Sequence, residues 1–211
     1  QVGGGVILKG QTQGKTALYL CFDGSGSMGR EMETFKEIIS KSIPQAMDVP
    51  TTWFSGYCYR GSVDYCKDPT GRNRDYYKGK FKDFMKVSAD SGYNDDGDRT
   101  IEMCWKAEQL GYSPIGVTDG GGQISWSKDM LKQLKRTVFV EQNRYRLEAV
   151  QKINPKVQIL DILKGVICMY RVLKEKGNNA NITLENIETK ASIIVGKITI
   201  SLLDILNKAG H

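Results

Sequence analysis

The segment Asp23-Gly24-Ser25-Gly26-Ser27 has the residue types and the spacing of a metal-binding loop. Its alternate positions supply one carboxylate and two hydroxyl groups, and hard cations such as Mg²⁺ and Mn²⁺ prefer oxygen ligands of this kind. The two interposed glycines let the backbone bend closely around an ion. The plain alternative is a polar turn, because Asp-x-Ser-x-Ser is a common string. The elements on either side of the loop decide between the two interpretations.

Two further loops carry side chains with similar chemistry. Asn94-Asp95-Asp96-Gly97-Asp98 precedes a predicted helix, and Thr118-Asp119-Gly120-Gly121 follows a predicted strand. In open α/β sheets, ligands bind beyond the carboxyl ends of the strands. We therefore expect the three loops to meet at one edge of a sheet.

The elements around these loops alternate between strand and helix. Residues 17–22 form a continuous apolar run, which is typical of a strand buried on both faces. Apolar residues then recur at helical spacing from Met32 to Ile43. The sequence predicts further strands at 51–59, 113–118, 137–140 and 156–162, further helices at 100–110, 127–135, 143–153 and 163–176, and a long polar excursion at 61–80. This alternation predicts an α/β fold with a mainly parallel central sheet and helices on both faces.

The length of 211 residues suits one domain with additions. We expect an N-terminal arm at 1–14, the α/β domain at 15–176 and a C-terminal appendix at 177–211. The five cysteines are odd in number and lack Cys-x-x-Cys spacing, which favours a reducing, cytoplasmic setting. No apolar stretch reaches the ~18 residues that a membrane-spanning helix needs.

The loops resemble the metal-ion-dependent adhesion site of the von Willebrand factor A family. Asp23, Ser25 and Ser27 match its first motif position by position. Thr118-Asp119-Gly120 matches the strand-end motif that supplies its last ligand. The resemblance covers residues from about 16 to 176 as an order of elements, and only the three loops as motifs.

The middle loop departs from the family pattern, which has a threonine ligand in a loop of Gly-Gly-Thr type. Asn94 aligns best with that threonine, and Asp96 is the competing ligand. The spacing from Asn94 to Asp98 is similar to that in the A domain of the cobaltochelatase T-subunit. The ligand from this loop is therefore open between two residues.

The resemblance implies a Rossmann-like von Willebrand factor A fold that binds Mg²⁺, or Mn²⁺ or Ca²⁺ in its place. The ligands it implies are Asp23, Ser25, Ser27, Asp119 and either Asn94 or Asp96. One coordination position stays open in such a site, where a Glu or Asp of a partner protein binds. By the same resemblance, that partner is an AAA+ ATPase. The expected function is a metal-dependent protein-binding module without catalytic activity of its own.

Two alternatives stay open at this point. The chain could be a component of a cobalt or magnesium chelatase complex in tetrapyrrole metallation, or a structural or RNA-associated A domain. The formal charge of +6 is compatible with nucleic acid as a partner, but 30 basic and 24 acidic residues are dispersed along the chain, as on an ordinary solvated surface. The single histidine, His211, excludes histidine-centred triads and zinc sites built on several histidines.

Overall fold

A seven-stranded sheet lies at the centre of the fold. The structure, a computed structural model, describes residues 18–54, 64–67, 75–86, 96–119, 124–141 and 147–175, with the backbone alone at 64–67, 75, 76, 96, 174 and 175. The strands are β1 (Leu18–Phe22), β2 (Pro50–Phe54), β3 (Asp64–Lys67), β4 (Asp75–Lys80), β5 (Ser113–Val117), β6 (Val138–Val140) and β7 (Gln158–Leu160). Their order is β3-β4-β2-β1-β5-β6-β7. The five strands from β2 to β7 in this order pair in parallel, and β4 pairs antiparallel with both β2 and β3.

Helices cover both faces of the sheet. They are α1 (Gly29–Ser42), α2 (Phe81–Phe84), α3 (Asp96–Gln109), α4 (Lys128–Gln133), α5 (Glu148–Ile153) and α6 (Ile162–Glu175), with 3-10 turns at Gly26–Met28 and Pro44–Asp48. The apolar residues of α1, α2 and α6 pack into one core, and those of α3, α4 and α5 pack into another on the opposite face. This is the predicted α/β architecture, a Rossmann-like sheet between two helical layers.

The strand order reverses between β1 and β5. From β1 the chain passes through α1, on the first face, to β2 on one side. From β5, on the other side, it passes through α4 and α5, on the second face, to β6 and β7. Such a reversal leaves a crevice beyond the carboxyl ends of the two strands, where ligands bind in open α/β sheets.

The strand β1 is buried on both faces, as its apolar run predicts. Leu18, Leu20 and Phe22 enter the first core, whereas Tyr19 and Cys21 enter the second. Because successive side chains of a strand point to opposite faces, β1 contributes side chains to both cores, and apolar residues suit each of its positions.

The predicted polar excursion at 61–80 is only partly what the structure shows. Within it, β3 and β4 form an antiparallel ribbon that extends the sheet beyond β2. Tyr77 of β4 lies opposite Trp53 of β2, and the two stacked rings are 6.1 Å apart between centroids. The prediction failed because this segment has few apolar residues to indicate a strand. The backbone pairing of β4 with β2 forms the strand instead, and that pairing leaves no signal in the local sequence.

Several other predictions have a plain outcome. The cysteines that the structure describes with their side chains, Cys21, Cys104 and Cys168, are buried and form no disulfide, as expected of small apolar residues. In the described part of the chain, no helix has both the length and the apolar character needed to cross a bilayer. The predicted N-terminal arm and C-terminal appendix lie outside the described residues.

Gly116 provides a test of how closely α3 packs on the sheet. A Cβ atom at this position would lie 2.9 Å from Cys104 Sγ and 2.9 Å from a ring carbon of Phe139. We expect Gly116→Ala to lower the free energy of unfolding by about 1–3 kcal/mol, because both neighbours must move within a packed core. Urea denaturation followed by circular dichroism measures the change.

The matched control is Gly29→Ala at the start of α1, where a Cβ atom would have no neighbour within 4 Å. Alanine is the better helix former, so we expect this variant to be as stable as the wild type or more so, by up to about 1 kcal/mol. Equal stability of the two variants would contradict the tight packing of α3 against β5.

Candidate metal centre

The loop after β1 is shaped by its own first residue. The Asp23 amide donates to the Val117 carbonyl at 2.9 Å, which continues the pairing of β1 with β5 by one residue. Asp23 Oδ1 then accepts a hydrogen bond from the Ser25 amide at 2.9 Å. A carboxylate that bonds the amide two residues further on forms a tight local turn. The chain is thereby turned into the 3-10 turn at Gly26–Met28 that leads into α1.

The loop after β5 lies against the first loop. The Thr118 amide donates to the Val140 carbonyl at 3.3 Å, so this residue is held between β1 and β6. The Thr118 hydroxyl donates to Asp23 Oδ2 at 2.7 Å. The two strand ends are therefore joined by side chains as well as by the backbone.

Hydroxyl groups connect the two aspartates. Ser25 Oγ lies 3.1 Å from Ser27 Oγ, and the Ser27 hydroxyl donates to Asp119 Oδ2. With the bond from the Ser25 amide to Asp23, these contacts form one continuous chain. The structure thus brings together four of the residues that the sequence predicts as ligands.

The cluster is buried on the protein side and reaches the surface on the other. The exposed fractions of Asp23 and Asp119 are 0% and 1%, and Ser25 is also buried. Ser27 and its neighbour Gly26 are exposed. An ion held by this cluster would therefore have protein on one side and solvent, or a partner, on the other.

Two buried carboxylates at neighbouring strand ends are electrostatically expensive. Removing a carboxylate from water costs several kcal/mol unless a charge or hydrogen bonds compensate it. The Ser and Thr hydroxyls donate hydrogen bonds without adding charge, and the amino terminus of α1, which begins at Gly29, adds a partial positive charge. A divalent cation held by these carboxylates would lower this cost further.

The donor atoms fit a hard cation. Carboxylate and hydroxyl oxygens suit Mg²⁺, Mn²⁺ or Ca²⁺ and disfavour softer metals. Within the described residues, no group of three or more His, Cys, Asp or Glu side chains could hold a metal, so the hydroxyls are needed as donors. Burial raises the pKa of the Cys104 thiol well above its usual range, and its contact with Cys21 raises it further. The Cys104 thiol therefore stays protonated and offers no thiolate ligand.

The ligand predicted from the middle loop stays a prediction. Asn94 lies outside the described residues, and Asp96 begins α3 with its side chain not described.

Asp98, from the same loop, has a role that the sequence did not reveal. It is 1% exposed and accepts hydrogen bonds from the amides and hydroxyls of Ser125 and Ser127. These serines follow Asp119 along the chain and precede α4. A Ser-x-Ser segment before a helix suggests local capping, and nothing in it points to an acid 27 residues upstream.

Thr118 provides a test of the bond between the two loops. Thr118→Val keeps the shape of the side chain but leaves Asp23 Oδ2 without its buried hydroxyl donor. We expect the free energy of unfolding in EDTA to fall by about 1–3 kcal/mol. Thr118→Ser keeps the donor and should lose less, so equal losses in urea denaturation would contradict the importance of this bond.

Comparison of the sequence with known proteins assigns no family. No family model matches the chain, and no curated protein matches it significantly.

Proposed function

We propose that this protein is a divalent-metal-dependent protein-binding module with a site of the von Willebrand factor A type. Asp23, Ser25, Ser27 and Asp119 hold Mg²⁺, with Asn94 or Asp96 as a further ligand. The observation that carries the proposal is the continuous chain of contacts from Asp23 through both serines to Asp119. It lies at the point where the strand order reverses.

The sequence motif and the topology support the proposal independently. The Asp-x-Ser-x-Ser spacing alone fits a polar turn as well as a metal loop. A polar turn needs no second carboxylate from a distant strand end, yet Asp119 lies in contact with Ser27, 92 residues away in sequence. Convergence of this kind is expected for a binding site, since ligands in such folds gather where two strand ends diverge.

The number of protein ligands leaves room for a partner. Mg²⁺ requires octahedral coordination and readily keeps waters in its shell. Two carboxylates, two hydroxyls and one residue from the middle loop do not complete an octahedron. When bound, the ion supplies a positive charge at the surface beside Ser27, and this charge attracts a carboxylate.

A protein carboxylate is the occupant that this chemistry favours. A Glu or Asp side chain can replace a water on the ion and complete the shell of hard oxygens. The chain's one histidine is His211, so the proposal gives the site a docking role and no acid–base step. From the resemblance of the middle loop, we propose an AAA+ ATPase subunit as the protein that offers this carboxylate.

Asp119→Asn separates a metal site from a purely structural cluster. In EDTA, we expect this variant to be as stable as the wild type or more stable, because it removes one of two neighbouring buried charges. With excess Mg²⁺, the wild type should gain stability as binding predicts, and the variant should gain little. Thermal denaturation with and without Mg²⁺ measures both effects.

The matched control is Asp48→Asn, at an exposed carboxylate near Lys80 and Lys82. Asp48 precedes β2 and so lies at the opposite edge of the parallel sheet. Its replacement should leave the Mg²⁺-dependent gain unchanged. The cluster would be purely structural if Mg²⁺ did not change the stability of the wild type and if Asp119→Asn were less stable than the wild type in EDTA.

Partner capture tests the docking role. We expect the immobilised protein to retain a partner from a lysate of its source in Mg²⁺ and to release it in EDTA. Asp23→Ala should abolish capture while leaving the circular dichroism spectrum unchanged, because it removes a carboxylate ligand. Capture that survives both EDTA and Asp23→Ala would contradict the proposal.

A further inference from the structure

Four exposed lysines lie at the carboxyl ends of α4 and α5. Lys132 belongs to α4 and Lys152 to α5, and Lys135 and Lys156 lie in the turns that follow these helices. All four residues are exposed. The turns lead into β6 and β7, so they lie at the edge of the sheet opposite the metal site. We call these four residues the lysine surface.

The side chain of Asn154 joins the two segments that carry these lysines. It is buried, and its Nδ2 group donates to the Leu131 carbonyl at 2.8 Å and to the Leu134 carbonyl at 3.1 Å. Its Oδ1 atom accepts a hydrogen bond from the Lys156 amide at 3.2 Å. Each of the four lysines belongs to this bonded set or lies within two residues of a member of it. The lysines therefore share one part of the surface.

Carboxylates balance little of this positive charge. Lys132 lies 3.9 Å from Asp129, and both side chains are mostly exposed, at 63% and 92%. In the part of the chain that the structure describes, Lys135, Lys152 and Lys156 form no ion pair. The two turns, 134–137 and 154–157, contain no acidic residue. An ordinary solvated surface has both signs of charge interspersed, so this local excess is unusual.

The neighbouring charges of Glu108 and Arg136 serve the fold. The Glu108 carboxylate is buried and accepts from the Lys135 and Thr137 amides at 2.9 and 3.1 Å. The Arg136 guanidinium donates to the Glu108 carbonyl at 2.8 Å and to the Tyr112 carbonyl at 3.1 Å. These two groups of opposite charge fasten the end of α3 to the chain that enters β6.

Helix stabilisation explains only half of the lysine surface. Lys132 and Lys152 lie in the last turns of α4 and α5, where a positive charge stabilises the helix dipole. Lys135 and Lys156 lie beyond the helices, and the dipole effect falls off within the last turn. Their amides are bonded to Glu108 and Asn154, so backbone bonds hold the turns in place. The ammonium groups of these two lysines have no structural task of this kind.

The chemistry of the lysine surface favours a phosphate backbone as its ligand. Lysine binds phosphates as a point charge, whereas it is depleted in interfaces between proteins. Residues 128–136 and 147–157 contain no aromatic residue and expose no large apolar side chain. Single-stranded nucleic acids bind by stacking on aromatic side chains, and firm binding to a lipid surface needs buried apolar area. A duplex, which carries its phosphates on the outside, requires neither.

We propose that the lysine surface binds the phosphate backbone of a nucleic-acid duplex without reading its sequence. The basic residues are dispersed along the chain, but the fold gathers these four, and the formal charge of +6 favours the encounter with a polyanion. The inference does not rest on the proposed function, because it concerns the opposite edge of the sheet and requires no metal.

The test measures the fluorescence anisotropy of a labelled DNA duplex with the full chain in EDTA. If the four lysines each contact a phosphate, the affinity should fall by about 100-fold between 50 mM and 200 mM salt, because each contact releases counterions. The double variant Lys135→Gln/Lys156→Gln should bind at least about tenfold more weakly at 50 mM salt. The slope of the logarithm of affinity against that of salt concentration should become shallower by about two.

The matched control is Lys41→Gln/Lys164→Gln, which changes two exposed lysines of α1 and α6 on the first face. Its net charge equals that of the test variant, so a local site predicts that it keeps nearly the wild-type affinity and slope. Lys135→Arg/Lys156→Arg keeps the positive charge and should also bind like the wild type. All three variants should melt close to the wild type, since exposed substitutions change stability little.

Three outcomes would overturn the inference. The first is a wild type that does not bind the duplex at 50 mM salt. The second is an equal loss of affinity in the two glutamine variants, because the effect would then follow net charge alone. The third is binding to phosphatidylserine vesicles in place of the duplex. None of these results bears on the metal site, which the Mg²⁺-dependent stability tests separately.

Discussion

The parallel pairing of β1 with β5 is the constraint on which the rest of the structure depends. Each strand contributes five residues to this pairing, from Leu18 opposite Ser113 to Phe22 opposite Val117. All of these residues are buried, and a slip by one position would turn every side chain to the wrong face. The core therefore fixes the register. Since both strands end at the same level, the register places Asp23 beside Thr118. The geometry of the site therefore follows from the packing of the apolar side chains of β1 and β5 in the core.

The same arrangement places charged groups out of water at the ends of the two strands. A close-packed apolar core stabilises the strands, yet it brings Asp23 and Asp119 out of water at their ends. Hydroxyl groups of Thr118 and Ser27 donate hydrogen bonds to these two carboxylates. If a cation completes the site, binding and folding are coupled, because the ion removes a cost that the metal-free protein bears. The stability of this edge of the sheet then depends on the concentration of the metal.

The sequence predicted those features whose signals are local. The apolar run of β1, the helical spacing of α1 and the Asp-x-Ser-x-Ser spacing are each visible within a few residues, and the fold class follows from the alternation of such segments. The ribbon of β3 and β4 was missed because it depends on pairing with β2, where Tyr77 stacks on Trp53. The role of Asp98 was missed because its partners lie 27 and 29 residues away. Such features depend on which surfaces meet, and no periodicity within one segment encodes that.

The helix α3 connects elements that the local sequence predicts with contacts between segments that are distant in sequence. The helix α4 has only six residues, too few to hold its own place, and buried carboxylates of α3 fasten the chain at both of its ends. The position of α3 is in turn set where Cys104 approaches the sheet at Gly116, a position with no room for a Cβ atom. Gly116 belongs to β5, the strand that carries Asp119. The strand that ends beside Asp23 therefore also sets, through α3, where the chain enters and leaves α4.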